Sequence, residues 1–397
     1  MKKRMLMLMS VVLVFVLVFV AGCGSASTTA PTSNEKKPFV IGAVFDITGP
    51  ASSLGIPEKN SAQMLVDQIN KAGGINGHKV DLKILDDKST PAEAALDIKQ
   101  LIEQDHVLAV IGASTSGASM SMVPIAMDKQ IPMVSAAASA AIVRPASDHK
   151  WIFKTAQPDD LVAKVVVTYL KAHNITSVAF MPVNNDFGNS GLKEFQAQAG
   201  AAGINIVTVQ KFEASDTDMT AQLTKVKDAK PQAVIVWSTP PSAAYVAKSY
   251  KQLGLTMPQI QSHGIGNKSF IDVAGDAANG VIFPAGKLLA VDTLSASDPQ
   301  KSVLSKYASD YQAAFPGQAL STFGGHAYDA TNMVLDALKA SGDNPTASSI
   351  RDQLEKISNY PGITGVFNMS PSEHNGLDTS SMVWIKIANG KWTLDQN

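Results

Sequence analysis

The chain has 397 residues, 45% of them apolar, and its 33 basic side chains nearly balance 34 acidic ones. That balance, with no basic run and with scattered aromatics, argues against nucleic acid as a partner. The length exceeds one compact core and predicts two domains, and the single cysteine excludes a disulfide within the chain.

The chain opens Met1-Lys2-Lys3-Arg4, then runs apolar from Met5 to Val20 with only Ser10 interrupting. This predicts a signal peptide over 1–22, with Ala21 and Gly22 as the small residues before cleavage. Sixteen residues reach about 24 Å, short of the roughly 30 Å hydrocarbon core, so removal is favoured over a retained span. Val20-Ala21-Gly22-Cys23 resembles the lipobox of bacterial lipoproteins, which implies acylation of Cys23. One acyl chain anchors only marginally, and the diacylglyceryl group that this resemblance implies supplies two. Residues 23–37 are rich in Ser, Thr and Ala, lack an apolar period, and read as a lipidated tether too polar to fold. The remainder is therefore expected to work outside the cytoplasm, anchored to the membrane by lipid.

From Phe39 onward, short apolar runs alternate with longer amphipathic segments. FVIGAVF (39–45) predicts a strand, and Leu65, Val66 and Ile69 a helix from Lys59 to Lys71. KVDLKIL (79–85) alternates at period two, and Ala94, Ala95, Ile98, Leu101 and Ile102 mark the next helix. VLAVIG (107–112), a helix over 120–127 and IPMVS (131–135) follow, and WIFKTA (151–156) reads as a crossing between lobes. Helices at 159–173, 188–202, 217–229 and 241–253 lead into SVAFMP, INIVTV, QAVIVW and PQIQS respectively. This beat, passed through twice, predicts two similar α/β lobes, each a parallel sheet with helices on both faces. Past Pro284, helices are expected at 299–314, 323–341 and 346–358. VFNMS and SSMVWIKIANGKWTL then read as antiparallel strands with a tight Asn-Gly turn.

The seven histidines, His78, His106, His149, His173, His263, His326 and His374, lie far apart, and CxxC is absent. Neither a metal site nor a cofactor is expected. No GxGxxG follows the first strand. Gly112-Ala113-Ser114-Thr115-Ser116 departs from the Gly-x-Ser-x-Gly nucleophile elbow and leaves a hydrolase using Ser114 as a distant alternative.

Open parallel sheets bind ligands beyond the carboxyl ends of their strands. Ala113 to Ala118 joins a strand to a helix, where unpaired N–H groups, hydroxyls and the helix dipole suit an anion. Ser135 to Ser139 adds small side chains that let a carboxylate approach the main chain. Ser and Thr most often cap helices at such positions, and capping is compatible with binding.

The blocks PFVIGAVFDITGPASSLG, INKAGGINGHKVDLKILDD, VLAVIGASTSGASMSMVPIA and IPMVSAAASA follow one another as in the leucine/isoleucine/valine-binding proteins. So do NNDFGNSG, KSYKQLGL and HAYDA. From Pro38 onward the chain resembles the type I periplasmic binding proteins of branched-chain amino-acid-type ABC importers. The resemblance implies two Rossmann-like lobes joined by three crossovers and closing on a small ligand, the Venus flytrap arrangement. The first lobe is expected over 38–156 and 287–365, the second over 157–286 and 366–397. A monomer that captures a small carboxylate and meets permease subunits, with no catalytic role, is implied.

The resemblance carries the hold on an α-carboxylate onto Ser116, Ala137 and Ser139, and an aromatic that closes over the ligand onto Phe187. It carries a large pocket-lining side chain onto Leu54, with plain packing as the alternative. Lining aromatic and acidic positions fall on Thr239 and His263. His263 offers no permanent negative charge for an amino group. If it flanks a helix, it has no ligand role. If it lines the cleft, aromatic acids and 2-oxo acids join hydrophobic and branched-chain amino acids as expected ligands, with Phe187 stacking on a ring.

Overall fold

The computed structural model describes residues 36–395. The expected signal peptide, Cys23 and most of the expected tether lie outside the described residues.

Short, nearly continuous apolar runs become strands buried on both faces, as parallel sheets require. In the first lobe these are β1 (Lys36–Phe45), β2 (His78–Asp86), β3 (Val110–Gly112), β4 (Met133–Ser135) and β5 (Ile152–Lys154). They form one parallel sheet in the order β2-β1-β3-β4-β5. The connecting helices are α1 (Ser52–Lys71), α2 (Pro91–Glu103) and α3 (Ser116–Lys129).

The chain then crosses to α4 (Asp159–Ala172), β6 (Ser177–Pro182), α5 (Asp186–Ala199), β7 (Asn205–Val209), α6 (Thr220–Asp228) and β8 (Ala233–Trp237). It continues through α7 (Ser242–Gln252), β9 (Gln259–Gln261), α8 (Lys268–Ala274) and β10 (Ile282–Gly286). These strands run parallel in the order β10-β9-β8-β6-β7. After a second crossing, α9 (Lys301–Ala314), α10 (Thr322–Ala340) and α11 (Ala347–Leu354) pack onto the first lobe, beside the ribbon β11 (Tyr360–Pro361) and β12 (Val366–Phe367). The third crossing leads to β13 (Met382–Ala388) and β14 (Lys391–Leu394), which extend the second sheet antiparallel from β10. Asn389 and Gly390, at φ 50° and 69°, make the turn between them, the backbone a two-residue hairpin favours.

Each lobe has its own core. Ile41, Phe45, Ile111, Val134 and Phe153 meet Tyr307, Met333 and Leu338 in the first. Val166, Phe180, Phe195, Val236 and Trp237 fill the second. Each large side chain so buried contributes roughly 1.5–3 kcal/mol.

Four boundaries differ from the sequence reading. WIFKTA is not only a crossing: Ile152–Lys154 pairs with β4 as the edge of the first sheet. β1 begins at Lys36, inside the expected tether, where the Lys36 ammonium bonds Asn76 O at 2.9 Å and Asp343 at 2.8 Å. α1 starts at Ser52, seven residues early, because Pro57 lies within it and disguises the helical pattern. Phe367 and Met369 pack in the first lobe's core, beyond residue 365.

Candidate ligand-binding site

Both sheets present the carboxyl ends of their strands to a shared cavity of about 330 Å³, at the small end of ligand pockets. In the first sheet β2 and β3 flank β1, so the chain leaves β1 and β3 on opposite sides and opens a crevice between the loops that follow. In the second, β6 and β8 are neighbours and their loops diverge in the same way.

Gly112 ends β3 at φ +110°, and a Cβ there would stand 2.1 Å from Val44 O, so only glycine fits. The chain turns there into Ser114, Thr115, Ser116 and Gly117, which line the cavity. Thr115 precedes α3 and makes no side-chain cap bond. The first-turn N–H groups of α3 have no acceptor within the helix, and the helix dipole adds positive potential. This end of the cavity suits a carboxylate.

Six of the seven residues singled out in the sequence line the cavity: Leu54, Ser116, Ala137, Phe187, Thr239 and His263. Ser139 is not among the lining residues. Its N–H donates to Ser116 Oγ at 3.2 Å and its hydroxyl donates to Ser190 Oγ, in the second lobe, at 3.0 Å. The Ala137 N–H donates to Ser135 Oγ at 3.1 Å. Two donors expected for the ligand are thus engaged within the protein, because the loop curls back on its own hydroxyls.

Thr115, within the loop expected to hold an anion, lines the cavity, and so do Asp186, Phe323 and His326, which sequence reasoning missed. Asp186 opens α5 and reaches across the cleft: a Cβ on Gly117 would stand 2.9 Å from its Oδ2. Among the described lining residues it alone carries a carboxylate. His326 and Phe323 come from α10, roughly sixty residues after His263. The quoted block HAYDA held His326, but nothing local marked it as a wall.

His263 and His326 are 5% and 4% exposed. Burial pulls both imidazoles down to about 3; the proximity of the other histidine lowers His263 further, and that of Lys154 lowers both. Both are neutral at pH 7, and the Nδ1 atom of each has no hydrogen-bond partner. Phe187 packs edge-on to His263 at 5.7 Å between centroids, and Trp237 lies 6.1 Å from Phe187. This wall of the cavity is therefore aromatic and weakly polar.

Ser114 Oγ accepts the Asp46 N–H at 3.1 Å. Among the described residues no imidazole is hydrogen-bonded to it. Among the described residues no group of three His, Cys, Asp or Glu is placed to hold a metal. No described helix is long and apolar enough to cross a membrane.

A family model described as periplasmic binding protein matches residues 38–391. The chain belongs to the periplasmic binding protein family. This binding protein is 28% identical to the Leu/Ile/Val-binding protein BraC3 of Rhizobium johnstonii, over 88% of its own length and 92% of the relative's. It is 28% identical to an extracellular ligand-binding receptor from Rhodopseudomonas palustris HaA2, with a TM-score of 0.84, covering 90% of this chain and 99% of that one. Against the branched-chain amino acid transporter substrate-binding protein LivJ of Streptococcus pneumoniae, solved with isoleucine, identity is 26% and the TM-score 0.79. That match covers 89% of this chain and 97% of LivJ. The fold of these relatives, two lobes with parallel sheets, is the fold of this binding protein.

Proposed function

We propose that this binding protein is the extracytoplasmic receptor of an ABC importer, tethered through Cys23, that captures a small hydrophobic carboxylate between its lobes and presents it to the permease. The observation that carries the reading is the uncapped start of α3, which opens with Thr115, Ser116 and Gly117 onto a cavity walled by Leu54, Phe187 and Phe323. The carboxylate would sit at those N–H groups and the apolar body against the aromatics. Binding and release, with no bond made or broken, is the role this geometry supports.

Two ligand classes fit, each with its own support. Branched-chain or other hydrophobic amino acids are supported by the names of the relatives and by Asp186, a carboxylate within the cleft wall that could face an ammonium group. Aromatic and 2-oxo acids are supported by two neutral imidazoles in the cavity wall, where a neutral acceptor or ring is better matched than an ammonium group.

Thermal-shift screening of L-isoleucine, L-leucine, benzoate and 4-methyl-2-oxopentanoate tests the reading, since a ligand at about 100 times its Kd stabilises by about 2.7 kcal/mol. One class is expected to raise Tm, and no rise with any member would overturn the carboxylate reading. Asp186→Asn separates the classes. An amino acid is expected to lose about 10-fold or more in affinity, for one charged hydrogen bond removed. An acid without an amino group is expected to bind Asp186→Asn at least as well as the wild type.

A further inference from the structure

Two fully buried charged side chains lie behind the cavity and take no part in the ligand contacts described so far. Lys154 ends β5 and Asp159 begins α4, and both are 0% exposed. Neither lines the cavity. Both residues hold one atom, Lys154 through its side chain and Asp159 through its main chain: the Ala138 carbonyl accepts the Lys154 ammonium at 2.6 Å and the Asp159 backbone N–H at 3.3 Å. Ala138 is part of the cavity wall, with Ala136 and Ala137.

The Asp159 carboxylate faces the second lobe. It accepts the Trp237 Nε1–H at 3.3 Å, and Trp237 ends β8 beneath Phe187 and His263, 6.1 and 6.2 Å from them. Ser190 of α5 helps hold the Asp159 carboxyl down against burial, and its hydroxyl oxygen accepts the Ser139 hydroxyl at 3.0 Å. Hydrogen bonds thus run from Ser116 through Ser139 to Ser190 on one side of the crossing and from Asp159 to Trp237 on the other. Lys154 is fixed by the crossing strands: its N–H donates to His374 O at 3.1 Å and its carbonyl accepts Asn375 Nδ2 at 3.1 Å.

Stability alone does not account for this pair. Two opposite buried charges are on balance no more stabilising than apolar side chains of similar volume. Burial draws the Lys154 ammonium down to about 7 and pushes the Asp159 carboxyl up to about 6, each charge partly offsetting the cost to the other.

We propose that Lys154 and Asp159 are positioning residues for ligand capture: one from each lobe, the Lys154 ammonium holds the Ala138 carbonyl and the Asp159 carboxyl holds the Trp237 ring, and together they keep the cavity loop and the Trp237 floor in register. The inference rests on the cavity being the ligand site. The pair acts through the loop and touches no ligand itself.

The test compares Lys154→Met, Asp159→Leu and the double variant by melting temperature, by calorimetry with L-isoleucine, benzoate and 4-methyl-2-oxopentanoate, and by ligand-free X-ray scattering. Each single variant strands a buried charge and is expected to lower Tm. The double variant is expected to recover most of that loss, yet to bind the wild-type protein's ligand about 10-fold more weakly or worse. Its lobes are also expected to open, with a larger radius of gyration than the wild type. Wild-type affinity and an unchanged radius in a double variant of recovered Tm would overturn the proposal. If the double variant does not fold, Trp237→Phe, which removes the donor to Asp159 and keeps an aromatic ring, serves instead. It is expected to weaken binding, and unchanged affinity and radius would again overturn the proposal. If the wild type binds none of the three probes, the carboxylate reading fails on its own. Scattering of the same variants then decides the clamp, an unchanged radius counting against it.

Discussion

Asp46, Glu58 and Asp87 sit together behind Ser114, at the ends of β1 and β2 and in the first turns of α1, each with 0% exposure. Both carboxyl oxygens of Asp46 and of Glu58 lack a hydrogen-bond partner. Burial pushes all three carboxyls up; Asp87 reaches about 8, with the Asp46 charge adding to the effect, and Glu58 lies well above its ordinary value. Asp97 and Asp329 are raised to about 6 and about 7 by the same cause. A carboxyl kept protonated by the fold stabilises fully below its unfolded value near 4, and that stability is lost as pH rises towards the folded value. His263 and His326 act oppositely, because the unfolded chain binds protons below 6.5 that the folded chain refuses until about 3. The carboxyls outnumber the imidazoles, so maximum stability is expected on the acid side of neutrality. Asp87→Asn keeps the acceptor for the Ser89 N–H, bonded at 3.0 Å, and removes the ionisation. Urea unfolding is expected to show it gaining on the order of 2–4 kcal/mol more, relative to wild type, at pH 8 than at pH 5. An equal effect at both values would mean that Asp87 is ionised throughout.

Among the elements, α1 shows how one residue within a helix can serve the other lobe. Pro57 has no N–H, so the Ser53 carbonyl four residues earlier loses its helical donor. Asn267 Nδ2, in the second lobe, donates to that carbonyl. The same Asn267 caps α8, its Oδ1 accepting the Ser269 N–H at 2.8 Å. A second tie lies beside it: Gly266 O accepts the N–H of Thr322, the first residue of α10, at 3.1 Å. Asn267→Asp keeps the cap and deletes the donor. It is expected to lower ligand affinity by about 1 kcal/mol, the worth of one such bond, while leaving Tm nearly unchanged. A fall in Tm with unaltered affinity would assign Asn267 to the fold alone.

For the molecule as a whole, the separation of the two cores matters most. Polar contacts bridge the lobes, among them Ser139 to Ser190, Asn267 to Ser53, Thr322 to Gly266 and Asp159 to Ala138. The hinge consists of three chain crossings cross-bonded at Asn375 and at Gln157, whose Nε2 donates to Thr364 O at 3.0 Å. Lobes joined in this way move relative to one another by default, and a ligand shifts their balance only through contacts it makes in one arrangement and not in the other. A ligand found in the melting screen is therefore expected to lower the radius of gyration in solution scattering. No compaction at saturation would show that binding and lobe closure are uncoupled.

The two-lobed α/β architecture was legible in the sequence because parallel strands buried on both faces read as apolar runs, and surface helices carry a 3.6-residue stripe. The loop that holds Ser116 was placed at the cleft by local logic, since residues just beyond strand ends face the crevice, whereas Leu54, Phe187 and Thr239 were assigned to it by the family resemblance. His326, Asp186 and the Lys154–Asp159 pair were not legible. Their roles depend on neighbours brought together from distant parts of the chain, and a burial that moves an ionisation equilibrium leaves no periodic mark. Local spacing determined which segments became strands and helices. Only the tertiary structure decided which carbonyls, such as those of Ser53 and Ala138, were left for the other lobe to claim, because hydrogen bonds between lobes depend on distance in space and not on separation in sequence.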